Sequence, residues 1–180
     1  GGIVGTVAAG THKTLTNNKT ATLNIGGTIG IATSWGGYAV GGVAGYLQKT
    51  ATQLENHAVV NVSATVKEIS KSTCFNVGGV VGYGGTASVS KAYNYGALNI
   101  SGTSTAVCAY YVSGVLGRLK GAANTLYKSG KTTVSNMTTK DVLSVTGCCG
   151  MEVCANFKPT NARNDGEIVV DSSVTAGQEL

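Results

Sequence analysis

The sequence is poor in charge, in proline and in long hydrophobic runs. Asp, Glu, Lys and Arg make up 12% of its 180 residues, about half the share of an ordinary globular domain. Proline occurs once, which excludes a collagen-like chain although there are 27 glycines. No apolar run approaches the roughly 20 residues of a membrane-spanning helix, and no signal peptide is visible. We therefore predict no direct membrane insertion.

Clusters of positive charge are also missing. The formal net charge is +5, and the 13 Lys and Arg residues are scattered along the chain without a run. Nucleic-acid binding depends on cations that are grouped opposite the phosphates. The sequence therefore predicts a mildly basic surface and no nucleic-acid partner.

Motifs for metals and phosphate groups are lacking as well. Of the five cysteines, Cys148, Cys149 and Cys154 lie close together, but no second Cys/His pair stands at the spacing of a zinc site. His12 and His57 are distant in sequence. A phosphate-binding loop of the form Gly-x-x-x-x-Gly-Lys-Ser/Thr does not occur. We predict no metal ion and no cofactor.

What the chain has instead is a glycine phrase that occurs five times. Its third copy reads Gly-Gly-Val-Val-Gly, and the copies begin about every 33 to 40 residues, at residues 1–5, 41–45, 78–82, 113–117 and 146–150. A fixed period in this range is typical of solenoids and other repeat folds. The glycines suit corners where a Cβ atom would not fit.

A second phrase alternates with the first. Its copies cover residues 21–25, 58–62, 96–100, 130–134 and 166–170. Apolar side chains recur in them at every second position, the pattern of a strand with one buried face. A weaker third strand is indicated between the two phrases, at residues 87–93. Equivalent positions predict ladders across the coils, one of which is Leu23, Val60, Leu98, Thr132 and Ile168.

These features predict an all-β fold, a parallel β-helix (β-solenoid) of about five coils. Each coil would hold one repeat of roughly 36 residues and three strands, and neighbouring coils would close the core between them. Residues 1–180 would form a single solenoid block, part of a longer chain. A β-sandwich or barrel also has short strands and regular turns, but it does not need sequence self-similarity.

The third unit, residues 77–102, carries a resemblance to a known family. It begins Val-Gly-Gly-Val-Val-Gly-Tyr, and a polar stretch then leads to Ala-Tyr-Asn-Tyr-Gly-Ala-Leu-Asn-Ile. This resembles the GLUG repeat of bacterial surface and secreted proteins, including adhesins and some secreted peptidases. The resemblance implies a right-handed parallel β-helix and an extracellular or cell-surface location. It carries no catalytic residues to transfer.

The cysteines leave two interpretations open. Cys74 and Cys108 are 34 residues apart, nearly one repeat, so they could face each other on adjacent coils within disulfide range. We expect at least one of Cys148 and Cys149 to fill a ladder position next to Val115 as a small buried hydrophobe. An odd number of cysteines leaves at least one thiol unpaired.

Aromatic residues are the best binding candidates. We single out Trp35, Tyr46, Tyr83, Tyr93 and Tyr95, since exposed rings stack on sugars or anchor protein contacts. Tyr46 and Tyr83 hold the same position in the repeat, so they are expected to stack on one edge. The alternative is a structural tyrosine ladder that covers the glycine corner.

Carboxylates supply the weaker, enzymatic hypothesis. Asp165, Glu167 and Asp171 form the one acidic cluster, and glycan-degrading enzymes work through paired carboxylates. Asp165 lies in an Asn-Asp-Gly turn, where turn chemistry accounts for it. We predict no catalytic residues.

The expected function is a non-catalytic surface scaffold or adhesion module that binds glycan or protein, or other subunits of a surface assembly. One alternative is a mechanical stalk that carries a functional domain elsewhere in the chain. The other is a polysaccharide-degrading enzyme built on the helix flank. Exposed stacked aromatics favour binding, an even polar surface favours the stalk, and a groove with the three carboxylates favours the enzyme.

Overall fold

The fold is an all-β solenoid. The computed structural model describes residues 1–10, 12–30, 38–67, 75–105, 110–150 and 159–179, and within these ranges all regular structure is β-strand, with no helix. The strands are Val4–Val7 (β1), His12–Asn17 (β2), Thr22–Gly30 (β3), Tyr38–Gly41 (β4), Ala44–Leu47 (β5), Ala51–Asn56 (β6), Val59–Lys67 (β7), Phe75–Gly78 (β8), Val81–Gly84 (β9), Val89–Asn94 (β10), Leu98–Ser104 (β11), Tyr110–Ser113 (β12), Leu116–Leu119 (β13), Ala123–Lys128 (β14), Thr132–Thr146 (β15), Asn161–Asn164 (β16), Ile168–Val170 (β17) and Thr175–Glu179 (β18).

The chain winds around four sides, and each side is built from strands of successive turns. Side 1 is β1-β5-β9-β13, and side 2 is β2-β6-β10-β14-β16. Side 3 is β3-β7-β11 and the first part of β15, followed by β17 and β18, and side 4 is β4-β8-β12 and the last part of β15. The pairings between these strands are parallel, for example Leu23 with Val60, 37 residues later. The parallel β-solenoid predicted from the repeat is therefore confirmed.

The number of turns and of strands per turn differs slightly from the prediction. About four turns are complete rather than five. The fifth turn has β16, β17 and β18, and on side 1 its described residues pair through the bridge between Cys149 and Leu116. A turn has four strands rather than three, because the glycine phrase is a corner between two strands. Gly41 ends β4 and Ala44 begins β5.

The predicted ladder on side 3 is confirmed residue for residue. Leu23, Val60, Leu98, Thr132 and Ile168 are successive register partners. At the glycine corner the amide of Val43 donates to the carbonyl of Val80, and Val80 donates likewise to Val115, each at 2.9 Å. These bonds satisfy backbone groups that the bend would otherwise leave unpaired.

Cysteines continue the glycine-corner ladder into the fifth turn. Cys148 follows Val115 and is half-buried, while Cys149, the next residue, is buried beside Leu116. A cysteine is thus buried here, but beside Leu116 rather than on the ladder of Val80 and Val115. Cys149 is disulfide-bonded and Cys148 is a free thiol. The Cys74 and Cys108 pair lies outside the described residues, so that disulfide stays a prediction.

Two apolar clusters fill the interior. One packs sides 1 and 2 together around Val80, Leu54 and Leu119, and the other packs sides 3 and 4 around Val60, Phe75 and Tyr110. Burial of this apolar surface is the main stabilising contribution. Because neither cluster is confined to one turn, each turn depends on its neighbours for a closed core.

An amide ladder separates the two clusters at a waist. It is formed by the last residue of each side-2 strand, namely Asn17, Asn56, Asn94, Lys128 and Asn164. Asn56 Nδ2 donates to Asn94 Oδ1 at 2.9 Å and to Ala58 O at 2.9 Å, and Asn17 Nδ2 donates across the interior to Gly42 O at 2.7 Å. The polar waist thus fixes the distance between opposite corners.

Candidate binding surface

The outer face of side 2 carries a row of large side chains. In a strand, successive side chains point to opposite faces, so the residue before each waist residue faces outward. These outward residues are register partners from turn to turn: Thr16, Glu55, Tyr93, Tyr127 and Arg163. Strand spacing places them about 4.8 Å apart along the solenoid.

A second row lies at the corner just beyond the strand ends. His57 and Tyr95 stack there with ring centroids 4.5 Å apart and an angle of 18° between the ring planes. Tyr95 also contacts both tyrosines of the first row, at 5.7 Å from Tyr127 and 6.3 Å from Tyr93. The four rings form one continuous patch across three turns, and Tyr95 at its centre is 40% exposed. We call His57, Tyr93, Tyr95 and Tyr127 the aromatic patch.

Charged residues border the patch at its Tyr127 end. Arg163 Nε donates to Asp165 Oδ1 at 2.8 Å, and the Tyr127 hydroxyl donates to Asp165 Oδ2 at 3.2 Å. The guanidinium carbon of Arg163 lies 6.0 Å from the centre of the Tyr127 ring, within cation–π range. The hydrogen bond and ion pair with Arg163 lower the pKa of Asp165 and raise the pKa of Arg163. Asp165 thus stays ionised and holds the arginine against the ring.

An acidic residue, Glu55, borders the patch at its His57 end. Glu55 Oε2 lies 3.3 Å from His57 Nε2, and Glu55 Oε1 accepts a hydrogen bond from Gln53 Nε2. Partial burial, together with the Glu55 carboxylate, raises the pKa of the Tyr95 phenol. The patch is therefore flanked by the Glu55 carboxylate at one end and by Arg163 at the other.

A separate aromatic row covers side 1. Tyr46 and Tyr83 are register partners, and their rings stack with centroids 5.1 Å apart and planes at 28°, as expected from their shared repeat position. Arg118 continues the row, its guanidinium carbon 5.8 Å from the centre of the Tyr83 ring. Tyr83 is only 8% exposed. This row lies against the wall of the solenoid, and its Tyr83 ring offers little surface to a ligand.

The structure thus divides the predicted binding residues between two places. It brings Tyr93 and Tyr95 together in the aromatic patch and places Tyr46 and Tyr83 on the neighbouring side. Trp35 lies outside the described residues. The sequence analysis counted Tyr127 among the aromatic candidates without singling it out, and it missed His57 and Arg163. An alignment of the side-2 strands would have found Tyr127 and Arg163, because they share the register of Tyr93.

The three clustered carboxylates go to separate partners. Asp165 pairs with Arg163, and Glu167 forms an exposed ion pair with Lys131 at 2.9 Å. Asp171 accepts from the backbone N–H of Ser173 at 2.8 Å, which is ordinary turn chemistry. Each carboxylate contact is thereby explained by local structure.

Neither a metal-binding cluster nor a membrane-spanning helix occurs among the described residues. The described part of the chain contains no group of three or more His, Cys, Asp or Glu residues that could hold a metal ion. None of the described residues forms a helix that is both long and apolar enough to cross a bilayer.

Comparison with known proteins gives no relative. No protein-family model, no curated protein and no solved structure matches the chain. The similarity to the GLUG repeat therefore stays a prediction, and the assignment that the geometry itself makes is a parallel β-solenoid with an aromatic patch on its second side.

Proposed function

We propose that the protein is a non-catalytic extracellular scaffold or adhesion module of a bacterial surface, and that it binds glycan or protein through the aromatic patch. The observation that carries the proposal is the run of rings from His57 through Tyr95 to Tyr127, spaced 4.5 and 5.7 Å apart on an outer face. The extracellular location rests on the GLUG-like phrases of the sequence.

Three physical properties of the patch support binding. Tyrosine has an apolar ring and a polar tip, so it can contact a ligand surface and still hydrogen-bond to it. Tyrosine and arginine are enriched among residues that contribute most to binding. The rings stand on hydrogen-bonded strands and on one another, so little side-chain freedom is lost when a ligand arrives.

A polar row beside the rings supports a hydroxyl-rich ligand. Thr14, Gln53, Lys91, Thr125 and Asn161 are register partners two residues before the first aromatic row. They place donors and acceptors along the same face, parallel to the rings. A few polar groups beside an apolar contact surface are the usual arrangement for orienting a ligand. Of the two proposed ligand classes, glycan and protein, the polar row favours glycan.

The experiment is a binding assay on a glycan array, with surface plasmon resonance on any glycan that is retained. We expect the double variant Tyr95→Ala/Tyr127→Ala to lose about tenfold or more in affinity, since hot-spot truncations cost about 2 kcal/mol or more. The matched control is Tyr38→Ala, an exposed tyrosine on side 4, which should bind like the wild type. Equal binding by the double variant and the wild type would contradict the proposal.

A mechanical stalk is the second candidate, and one observation favours it. Every turn is joined to the next by parallel hydrogen-bonded strands on all four sides up to the fourth turn. A stalk predicts that the wild type binds no glycan or surface protein and that patch variants are neutral in cell attachment. The adhesion proposal predicts that attachment falls when Tyr95 and Tyr127 are replaced.

A further inference from the structure

A lysine occupies one place in the amide ladder of the waist. Lys128 stands where the preceding turns have Asn56 and Asn94, and its residue has no solvent-accessible surface. Lysine has only donors when charged and no acceptor. Asn94 Nδ2 would donate to an asparagine at this place, and it has no hydrogen-bond partner. The ladder is therefore interrupted at one residue.

Two glycines make room for the long side chain. A Cβ on Gly114 would lie 2.1 Å from Lys128 Cδ, and a Cβ on Gly166 would lie 2.6 Å from its Nζ. The side chain is thus threaded between the glycine corner of the fourth turn and the turn before β17. It ends with Nζ donating to Asn164 Oδ1 at 3.2 Å and to the backbone carbonyl of Glu167 at 3.1 Å.

This environment disfavours the charged form of the amine relative to water. Both hydrogen-bond acceptors of Nζ are uncharged oxygens, while the nearby Glu167 carboxylate binds Lys131 instead. Burial lowers the pKa of Lys128, partly opposed by the fields of Cys148 and Glu167. A neutral amine also has a lone pair, which an ammonium lacks, and desolvated lysines of this kind are nucleophiles.

The acceptor amide is activated on its other side. Asn164 Oδ1 accepts a second hydrogen bond, from the backbone N–H of Gly166 at 3.1 Å. A backbone N–H on a carbonyl oxygen stabilises the negative charge that develops there when a nucleophile attacks the carbon. Asn164 itself is exposed, so a leaving group released from it reaches solvent directly.

We propose that Lys128 and Asn164 form an intramolecular amide cross-link between the fourth turn and the fifth. The Nζ lone pair attacks Asn164 Cγ, and the charge that forms on Oδ1 is held by the Gly166 N–H. The bond from Cγ to Nδ2 then breaks, and a proton from Nζ passes to the departing nitrogen. One C–N bond forms, one breaks, and one ammonia leaves.

The contacts already present suit this reaction. Nζ is held beside the amide group by the hydrogen bond to Asn164 Oδ1, and such positioning replaces a bimolecular encounter with a unimolecular step. The product keeps one N–H on Nζ, which can retain its hydrogen bond to the Glu167 carbonyl. The step needs no oxidant and no co-reactant.

The test is the intact mass of the purified wild-type protein under denaturing and reducing conditions. We expect a mass lower than that of the sequence by one ammonia. In a tryptic digest the chain should remain uncut after Lys128, and a branched peptide should join Lys128 to Asn164. A wild-type mass equal to that of the sequence would overturn the proposal.

The matched control is Lys128→Asn. It completes the amide ladder, so it is expected to fold, and it has no amine to attack Asn164. Its mass should agree with its own sequence. A succinimide at an asparagine also releases ammonia, but that loss would persist in Lys128→Asn. Persistence of the loss there, or a branch that joins Lys128 to another residue, would overturn the proposal as well. Neither outcome depends on glycan binding by the aromatic patch.

Discussion

Asn56 and Gly42 meet across the interior of the solenoid. A Cβ on Gly42 would lie 2.5 Å from Asn56 Cγ and 2.2 Å from the carbonyl oxygen of Gly79. The contact brings a glycine corner and the end of a side-2 strand together, and it recurs one turn later between Gly79 and Asn94. The second glycine of the repeated phrase is therefore required by the amide ladder opposite, and the phrase and the ladder form one unit.

Gly42→Ala should destabilise the fold strongly. The added methyl group would overlap both the backbone of the next turn and the Asn56 side chain, and overpacking of this kind costs about 2–3 kcal/mol. For a chain of this length the expected drop in Tm is roughly 5–10 °C. Calorimetry or thermal circular dichroism measures it. Gly5→Ala is the matched control, because nothing lies within 4 Å of its Cβ position. An unchanged Tm for Gly42→Ala would contradict the prediction, since it would show that the waist can accommodate the added methyl group.

Two asparagine ladders of the same chemistry should differ in how much they contribute to the free energy of unfolding, because one is buried and the other is not. Asn56 is fully buried in the waist, whereas Asn61 belongs to an outer ladder, donating to Asn24 and accepting from Asn99 at 2.8 Å each. Asn56→Ala removes the hydrogen bond that the Asn56 side chain donates to the carbonyl of Ala58, and each buried unsatisfied group costs about 1–3 kcal/mol. In Asn61→Ala water replaces the lost bonds. Urea unfolding should show a loss of about 2 kcal/mol or more for Asn56→Ala and under about 1 kcal/mol for Asn61→Ala, and equal losses would contradict this account.

Tyr110→Phe should stabilise the protein. The Tyr110 hydroxyl is buried without a hydrogen-bond partner, and Phe75, its register partner one turn earlier, shows that the position accepts phenylalanine. Removing an unsatisfied hydroxyl should raise the free energy of unfolding by about 1 kcal/mol. Tyr38→Phe, at the same register position but exposed, is the control.

The same variant should change how stability depends on pH. Burial raises the pKa of Tyr110 above its ordinary value. Above about pH 10 the unfolded chain then loses this proton while the folded chain keeps it, so wild-type stability falls as the pH rises. Tyr110→Phe lacks this loss. Unfolding curves measured from about pH 8 to about pH 11, a range that brackets the ordinary tyrosine pKa, should show that the free energy of unfolding of Tyr110→Phe exceeds that of the wild type by an amount that grows with pH. A constant difference would contradict the assignment.

Arg163→Ala should raise the pKa of Asp165 toward the ordinary range. The arginine holds that pKa down through a hydrogen bond and an ion pair. A lowered carboxyl pKa contributes stability above the unfolded value, and the contribution is lost as the pH falls through the folded value. Carboxyl-detected NMR titration measures the shift. Lys131→Ala removes the partner of Glu167 instead and should leave Asp165 unchanged, and an unshifted Asp165 in Arg163→Ala would contradict the pairing.

Periodicity in the sequence was sufficient for the fold class. Leu23, Val60 and Leu98 recur with the repeat and alternate with polar neighbours, so both the ladder and its parallel register could be predicted. The stack of Tyr46 on Tyr83 followed in the same way. Such positions are predictable because in a solenoid the repeat spacing alone determines which residues become neighbours.

Inward polar residues could not be predicted in this way. Asn56 and Asn94 stand at strand ends before a turn, where asparagine is expected for its turn chemistry, and the sequence does not show that their amides point inward. Lys128 obscured the ladder further. The fourth strand was missed for another reason. The glycine phrase was counted as a single strand, whereas Phe75–Gly78 ends at it and Val81–Gly84 begins within it. The aromatic patch was half found, because Tyr93 and Tyr95 stood in the repeat whereas His57 and Arg163 needed the register of the neighbouring turns.

The corner between sides 3 and 4 differs from the others in one respect. Seven residues separate β3 from β4 and β7 from β8, and five separate β11 from β12, whereas β15 continues through the corner as one strand. The strands on both sides of this corner still pair in parallel with those of the next turn, with one register shift between β11 and β15. The number of residues between consecutive strands therefore varies most along this edge, from none to seven, against two to four at the other corners of the first four turns. We expect an inserted peptide to be tolerated best along this edge, which lies on a different side from the aromatic patch.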